Sequence, residues 1–272
     1  MKKNVFNKWK MICAASVAAA MAITLSSCLE GGGNSMRNQV TGVVRLDLKT
    51  LKNVLDISAY ESFYSPAFSN MEDGKCCQVY YELDFELPEN SAEMLASNGY
   101  YTVTVLDKTE IDRYFILSTA DTSETALSDE IPLVNPVFQT GGYVRGILFL
   151  AHQFEGAEDL KTDWRLSYDW QNPYKSEEGG NIYDVYLRAV VRVSSTKTPE
   201  DRYELCAYDM NPFIESAAQR EKGLGKDAVS LRFNYVSEIG EDGTVVWSKS
   251  DKLDLSVQMI IPETGTGLAV NK

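Results

Sequence analysis

The chain has 272 residues and is acidic, with 39 Asp and Glu against 26 Lys and Arg and a formal net charge of −13. A field of that sign repels nucleic acid and anionic headgroups, so neither is expected as a partner. The sequence has a single histidine and no Cys-x-x-Cys pattern, which argues against a metal site. It has no Walker loop, dinucleotide fingerprint or Gly-x-Ser-x-Gly elbow, so no cofactor is expected.

The N-terminus has the composition of a secretory signal peptide. Lysines stand at positions 2, 3, 8 and 10, and the first ten residues contain no acid. The apolar run that follows, MICAASVAAAMAITL, is too short to cross a bilayer core of roughly 30 Å. A basic head, a short apolar stretch and small residues at its end predict a signal peptide over residues 1–27.

The next residues, Leu25-Ser26-Ser27-Cys28, resemble the bacterial lipobox, in which the cysteine becomes the acylated N-terminus. Among these side chains only a thiol readily forms the thioether that carries diacylglycerol. Three glycines, residues 31–33, follow and predict a flexible tether over residues 28–39. The expected location is the cell envelope, at the outer membrane, with the membrane contacted through the lipid on Cys28. Loss of the four signal lysines leaves 22 basic against 39 acidic residues, a net charge of −17.

Three cysteines remain once Cys13 leaves with the signal peptide and Cys28 takes the lipid. They are Cys76, Cys77 and Cys206, in a compartment that is expected to be oxidising. A bridge from Cys206 to either Cys76 or Cys77 is open, and three cysteines are too few for a disulfide framework.

The N-terminal half predicts a small β domain over residues 40–125. In CCQVYYELDFEL, Cys77, Val79 and Tyr81 alternate with polar residues, which predicts a half-buried strand with Cys77 inward and Cys76 outward. Residues 72–74, Glu-Asp-Gly, predict a turn before it. Further strands are predicted at 100–107 and 112–117, with a short helix at 91–97 between Ser91 and an Asn-Gly stop.

Residues 118–136 are polar and acidic and predict an exposed connection, with the domain linker at 126–136. A second β domain is predicted over 137–272. Its strands are expected at 142–154, 160–170, 181–195, 227–239 and 244–261, with the second and third as a long hairpin. Residues 241–243, Glu-Asp-Gly, predict a hairpin turn. The clearest helix is predicted at 211–223, with Pro212 in its first turn and Gly223 after its end.

Candidate catalytic groups are few. By alternation His152 shares a face with Leu148, Leu150 and Phe154, which favours a buried histidine over a catalytic base. A glycosidase needs two carboxylates facing each other across a cleft. Acidic pairs are plentiful, but their number makes any one of them unremarkable, so no catalytic residue is assigned and the protein is predicted not to be an enzyme. The pairs are Glu177-Glu178, Asp84/Glu86 and Asp251/Asp254.

Large aromatic residues are the stronger binding candidates. Trp164, Tyr168 and Trp170 fall on one strand face at period two, together with Leu166. Three rings in a row could stack on sugars, as in carbohydrate-binding surfaces. They could equally form the inner face of a sandwich, where Trp and Tyr dominate the core area, and Leu166 among them favours the core.

The whole layout resembles the NigD-like lipoproteins of the Bacteroidetes. The resemblance rests on the lipobox, on "CCQVYYELDF" and "YYTVTVLDKTEI", and on the strands "GYVRGILFLAHQF" and "VYLRAVVRV", and it spans about residues 40–262. It implies an all-β, mainly antiparallel fold with one short helix, in which a small OB-like barrel precedes a C-terminal β-sandwich. Only one acidic residue, Glu30, follows Cys28 closely. This leaves open whether the protein lies on the cell-surface side or on the periplasmic side of the outer membrane.

These features predict a non-catalytic cell-envelope lipoprotein that acts as a binding or interaction module, because loops on a rigid β frame are suited to binding. The partner could be an envelope protein or a glycan. Two alternatives belong to other classes. One is a surface lipoprotein that binds or hydrolyses polysaccharide, and the other is a fimbrial or adhesin-type subunit that exchanges strands by edge addition.

Overall fold

A computed structural model describes residues 34–134, 142–177 and 180–262. The predicted signal peptide, Cys28 and the glycines of the tether lie outside these residues. Within the described part of the chain, no helix is both long and apolar enough to cross a membrane.

The N-terminal domain is a closed barrel. Its strands pair in the order β5-β3-β2-β1-β4-β6. Only Val103 separates β5 from β6, so one continuous run pairs with β3 in parallel and with β4 antiparallel and thereby closes the sheet. This is the five-stranded arrangement of an OB fold. The strands are β1 (Ser35–Asp47), β2 (Lys52–Asp56), β3 (Ser62–Tyr64), β4 (Cys76–Asp84), β5 (Tyr101–Thr102) and β6 (Thr104–Ile111).

The first strand corrects the predicted tether. Residues 35–39 were predicted to belong to it, but they pair with β4, where Ser35 opposes Asp84 and Gln39 opposes Tyr80. The sequence does not show this because polar residues at 34–39 hide a strand that is exposed on one face.

Local signals in the barrel are confirmed. The side chain of Ser91 accepts a hydrogen bond from the backbone of Met94 at the start of helix α1 (Ala92–Asn98), and Gly99 ends it with φ 78°. Gly74 takes φ 83° in the turn before β4. Two 3₁₀ turns lie at Pro66–Phe68 and Pro88–Asn90. The inward residues of β4 join the barrel core, which includes Val44, Leu55, Phe63, Phe68, Cys77, Val79, Tyr81 and Leu83.

The C-terminal domain is a two-sheet sandwich. One sheet has the order β10-β12-β14-β15, with β11 also paired to β12, and the other has the order β7-β13-β9-β8. The elements are β7 (Arg113–Phe115), β8 (Tyr143–Val144), β9 (Ile147–Gly156), β10 (Lys161–Tyr168), β11 (Lys175–Glu177), β12 (Gly180–Val193), β13 (Glu200–Asp209), β14 (Ala228–Ile239) and β15 (Val245–Ser256), with helices α2 (Asn211–Gly223) and α3 (Val257–Ile260).

Several predicted boundaries of this domain change. The strand predicted over 142–154 is a hairpin, because Arg145 and Gly146 take φ 50° and 82° between β8 and β9. The last predicted strand ends at Ser256 and continues as α3. Helix α2 matches its predicted range, but Gly225 and not Gly223 takes the positive φ beyond it. The hairpin turn at Gly243, with φ 79°, is confirmed.

The described part of the predicted linker, residues 126–134, belongs to the sandwich. β7 pairs in parallel with β13, so the second domain begins at Arg113 and not after residue 125. Residues 129–133 insert between β12 and β14, with hydrogen bonds from the Ile131 and Leu133 amides to the carbonyls of Ala189 and Val236. Leu133 is buried in the sandwich core. The acidic composition of 118–136 predicts exposure to solvent. Two of its acids, Asp121 and Glu130, instead form ion pairs with Arg188, whose side chain is buried.

An apolar seam joins the two domains. It contains Val43, Cys76 and Ile111 from the barrel and Val144, Ile147, Phe149 and Ala207 from the sandwich, all buried. β9 therefore has the sandwich core on one face and the barrel on the other, and this double burial explains its nearly continuous apolar sequence.

The three described cysteines are buried free thiols, so the disulfide considered for Cys206 does not form. Cys77 lies in the barrel core and Cys206 in the sandwich core. Cys76 does point out of the barrel as predicted, but it meets the second domain and not water.

Candidate functional site

The predicted aromatic platform does not exist as a surface. Trp164 and Tyr168 are buried in the sandwich core with Leu166, which confirms the core interpretation and removes two of the three candidate stacking residues. Trp170 lies beyond the end of β10 and is 62% exposed. On the opposite face of β10, Arg165 and Asp163 form an exposed ion pair at 3.1 Å, as the alternation predicts.

His152 is a core residue, as predicted. Its ring stacks on Trp164 with centroids 4.3 Å apart, and its Nε2 lies 2.8 Å from the Tyr208 hydroxyl. Complete burial lowers the pKa of His152 from 6.5 to about 3. A neutral histidine inside a sandwich cannot reach a substrate from solvent, so it is not available as a general base.

The acidic pairs noted in the sequence serve local structure. Asp84 accepts the backbone N–H of Glu86 at 2.8 Å, and Asp254 accepts the hydroxyl of Ser230 at 2.5 Å. Glu177 accepts from Arg232 at 2.8 Å, while Glu178 lies outside the described residues.

A polar crevice of about 560 Å³ lies where the barrel meets the sandwich. Its volume falls within the range of about 300–1,000 Å³ that small-molecule sites occupy. The barrel contributes the end of β2 and the loop to β3, and the sandwich contributes the β8–β9 turn, the start of α2 and the end of α3. Its main lining residues are Arg45, Asp56, Ser58, Tyr60, Ser62, Tyr143, Arg145, Asn211 and Glu215.

Asp56 organises the floor of the crevice. Its Oδ2 accepts from Arg45 Nε at 2.9 Å and from Arg145 Nη1 at 2.8 Å, and its Oδ1 accepts from Ser62 Oγ at 2.6 Å. Asp56 is 5% exposed, so both arginines compensate a carboxylate that has lost its water. Since Arg145 belongs to the sandwich, this ion pair also joins the two domains.

The β8–β9 turn has a strained backbone at Arg145, and this conformation places the Arg145 side chain in the crevice. Arg145 has φ 50°, a region that a residue with a Cβ seldom occupies. The turn brings its guanidinium to Asp56, while the Gly146 carbonyl accepts the backbone N–H of Met210 at 2.7 Å. The Asn211 side chain packs directly over Gly146. Nearby, burial raises the pKa of the Tyr143 hydroxyl.

Gly146→Ala tests how closely the Asn211 side chain packs on the β8–β9 turn. A Cβ there would lie 1.8 Å from Asn211 Oδ1, in addition to the strained φ of 82°. We expect a loss of about 1–3 kcal/mol in the free energy of unfolding, measured by chemical denaturation. Gly99→Ala is the matched control, because φ is 78° there and nothing lies within 4 Å of the added Cβ. Equal losses for the two variants would contradict the packing of Asn211 on the turn.

Sequence patterns do not predict this crevice. Its residues come from four separate regions, 45–62, 143–146, 211–215 and 259–262, and follow no periodic spacing. The one local signal was Arg-Gly in the middle of an apolar run at 145–146, which is turn chemistry inside a predicted strand.

Comparison with known proteins agrees with the N-terminal architecture. Residues 32–109 match the model of a family described as "Lipoprotein OB domain". The match covers the barrel and stops short of the sandwich. The comparison with curated proteins gives no match.

Two of the three solved structures described next, those with TM-scores of 0.69 and 0.52, share the fold over most of the chain. An uncharacterised protein from Parabacteroides merdae is 19% identical, with a TM-score of 0.69 over 80% of this chain and 98% of that one. A candidate lipoprotein from Bacteroides fragilis is 14% identical, with a TM-score of 0.52 over 80% and 98%. A NigD-like immunity protein from Bacteroides caccae is 12% identical, with a TM-score of 0.42 over 78% and 90%. The resemblance to Bacteroidetes lipoproteins with an N-terminal OB barrel is confirmed.

Proposed function

We propose that this chain, which carries a lipoprotein OB domain behind a lipobox, is a lipid-anchored cell-envelope protein whose two-domain body binds a partner without catalysis. The observation that carries the anchor is spacing: the family match begins at residue 32, only four residues after Cys28. The outer membrane is the proposed site of attachment.

The shape of the body supports a binding role. The apolar seam and the Arg145–Asp56 ion pair fix the barrel and the sandwich against each other, and the crevice between them is lined by both. Ligand sites form preferentially at such domain interfaces. The absence of catalysis is proposed because the one histidine is buried and because Asp84, Glu177 and Asp254, one from each acidic pair, accept hydrogen bonds within the protein.

Strand exchange, as in a fimbrial subunit, is less favoured. The run through β5 and β6 closes the barrel, which leaves little open edge. The outer edge of the sandwich at β15 carries Lys249, Asp251 and Lys252. Charged side chains on an edge strand oppose the addition of another strand.

Acylation of Cys28 is tested by mass spectrometry of the protein purified from its native envelope. The expected N-terminal peptide starts at Cys28 and carries the mass of a diacylglyceryl group. Cys28→Ser is expected to abolish both the lipid and the membrane fractionation. Cys13→Ser is the matched control, because it removes a thiol from the signal peptide and should leave both unchanged. A bare thiol at residue 28, or a chain that still starts at Met1, would overturn the anchor.

A further inference from the structure

We propose that the crevice between the domains is a saccharide-binding site, and that the partner of this protein is a glycan. The inference rests on the proposed binding function and names its ligand class. It moves the site away from the predicted platform at Trp164, Tyr168 and Trp170 to residues that both domains supply.

The positively charged groups of the crevice do not favour an anion. Arg45 and Arg145 both donate to Asp56, and Arg45 also donates to Asp47 at 3.2 Å, so their charges are already compensated. The start of α2 does not attract an anion either, because the backbone N–H of Asn211 donates to the carboxylate of Asp209 at 3.1 Å. An anion therefore meets no uncompensated positive charge at these groups.

The remaining groups suit hydroxyls and an apolar sugar face. Tyr60 is 59% exposed and lines the crevice, so its ring is available to an apolar sugar face. Its loop is ordered before any ligand arrives, because Ser58 Oγ accepts the backbone N–H groups of Tyr60 and Glu61 at 3.2 and 3.0 Å. The amide of Asn211 and the carboxylate of Glu215 line the same space, and together they offer both donors and acceptors.

The position on the barrel agrees with this ligand class. Leu55 and Phe63 point into the barrel core, so Asp56 and Ser62, the next residues along their strands, lie on the outward face of β2 and β3. OB folds bind oligosaccharides and oligonucleotides with this face. The net charge of −17 opposes a polyanion, which leaves the saccharide.

A glycan array probed with the full-length mature lipoprotein in detergent micelles tests the proposal, with isothermal titration of the strongest oligosaccharide. We expect Tyr60→Ala and Asn211→Ala each to weaken binding at least tenfold. The melting temperature should stay near that of the wild type in Tyr60→Ala, whereas Asn211→Ala also loses its packing on Gly146 and is titrated well below its own melting temperature. Trp170→Ala is the matched control, since Trp170 is equally exposed but lies outside the crevice. It should bind like the wild type.

Three results would overturn the saccharide site: a wild type that binds no glycan, unchanged binding in both crevice variants, or loss of binding in Trp170→Ala. Capture of a peptide by the crevice without any glycan would overturn it as well. Each of these outcomes is separate from the anchor, because acylation of Cys28 is measured on its own. If the protein is acylated but binds no glycan, the proposed saccharide site is wrong and the proposed membrane attachment is unaffected.

Discussion

Arg188→Met is expected to lower the free energy of unfolding of the sandwich by about 3 kcal/mol. The Arg188 side chain is 1% exposed and donates to both carboxylate oxygens of Glu130, at 2.7 and 2.8 Å. It also donates to Asp121 at 2.6 Å and to the carbonyl of Thr125 at 2.8 Å. The Glu130 side chain is fully buried, so loss of the arginine leaves an uncompensated charge out of contact with water.

Chemical denaturation followed by fluorescence measures this loss. Arg165→Met is the matched control, because Arg165 stands on the neighbouring strand and its one ion pair is solvent-exposed. Its expected loss is below about 1 kcal/mol. The double variant Arg188→Met with Glu130→Gln should recover part of the stability, since the buried charge is removed. Similar losses for Arg188→Met and Arg165→Met would contradict the role of Arg188 in holding the 121–130 segment.

Acid is expected to destabilise the protein through its single histidine. The pKa of His152 is about 3 in the folded state and about 6.5 when unfolded. Below pH 6.5 the unfolded chain therefore binds a proton that the folded chain does not, and unfolding becomes easier by up to about 1.4 kcal/mol per pH unit. The contribution is absent above pH 6.5 and stops growing near pH 3.

The comparison with His152→Gln isolates this group between pH 6.5 and 4.5, because Glu204, whose pKa is raised by burial, is present in both proteins. Asp184 also contributes to acid sensitivity, but its hydrogen bonds to Arg232 and Asn234 outweigh its burial and lower its pKa from 3.8 to about 2, so its effect falls below that window. Between pH 6.5 and 4.5 the wild type should lose about 2.5 kcal/mol more than His152→Gln. In NMR spectra the one histidine ring should show no titration down to about pH 4. A midpoint near 6.5 would show that the ring meets water.

Local sequence predicted much of the fold. Period-two alternation placed β4 and its inward residues, and the Glu-Asp-Gly triplets placed the turns at Gly74 and Gly243. Pro212 and the residues after it placed α2 over its whole range. Each of these signals acts within about ten residues, where periodicity and backbone preference decide the structure.

The errors lie where distant contacts decide. The three residues of β7 belong to the sandwich because they pair with β13, more than 90 residues later, so the domain boundary was placed too late. The acidic residues of 121–130 predict an exposed segment. The sequence does not show that two of them pair with Arg188, because Arg188 is remote in sequence. The outward direction of Cys76 is predicted correctly, but its burial is not, because the second domain that covers it is remote in sequence. The crevice could not be predicted, because it exists only after both domains have folded.

Only Asp112 separates the last barrel strand from the first sandwich strand. This short connection, the buried apolar seam and the Arg145–Asp56 ion pair together hold the domains in one arrangement. A ligand entering between them would meet walls that are already in position, so its affinity would not be reduced by the ordering of loops or the closing of a lid. Association should accordingly proceed in a single kinetic step, without a slow rearrangement after the encounter.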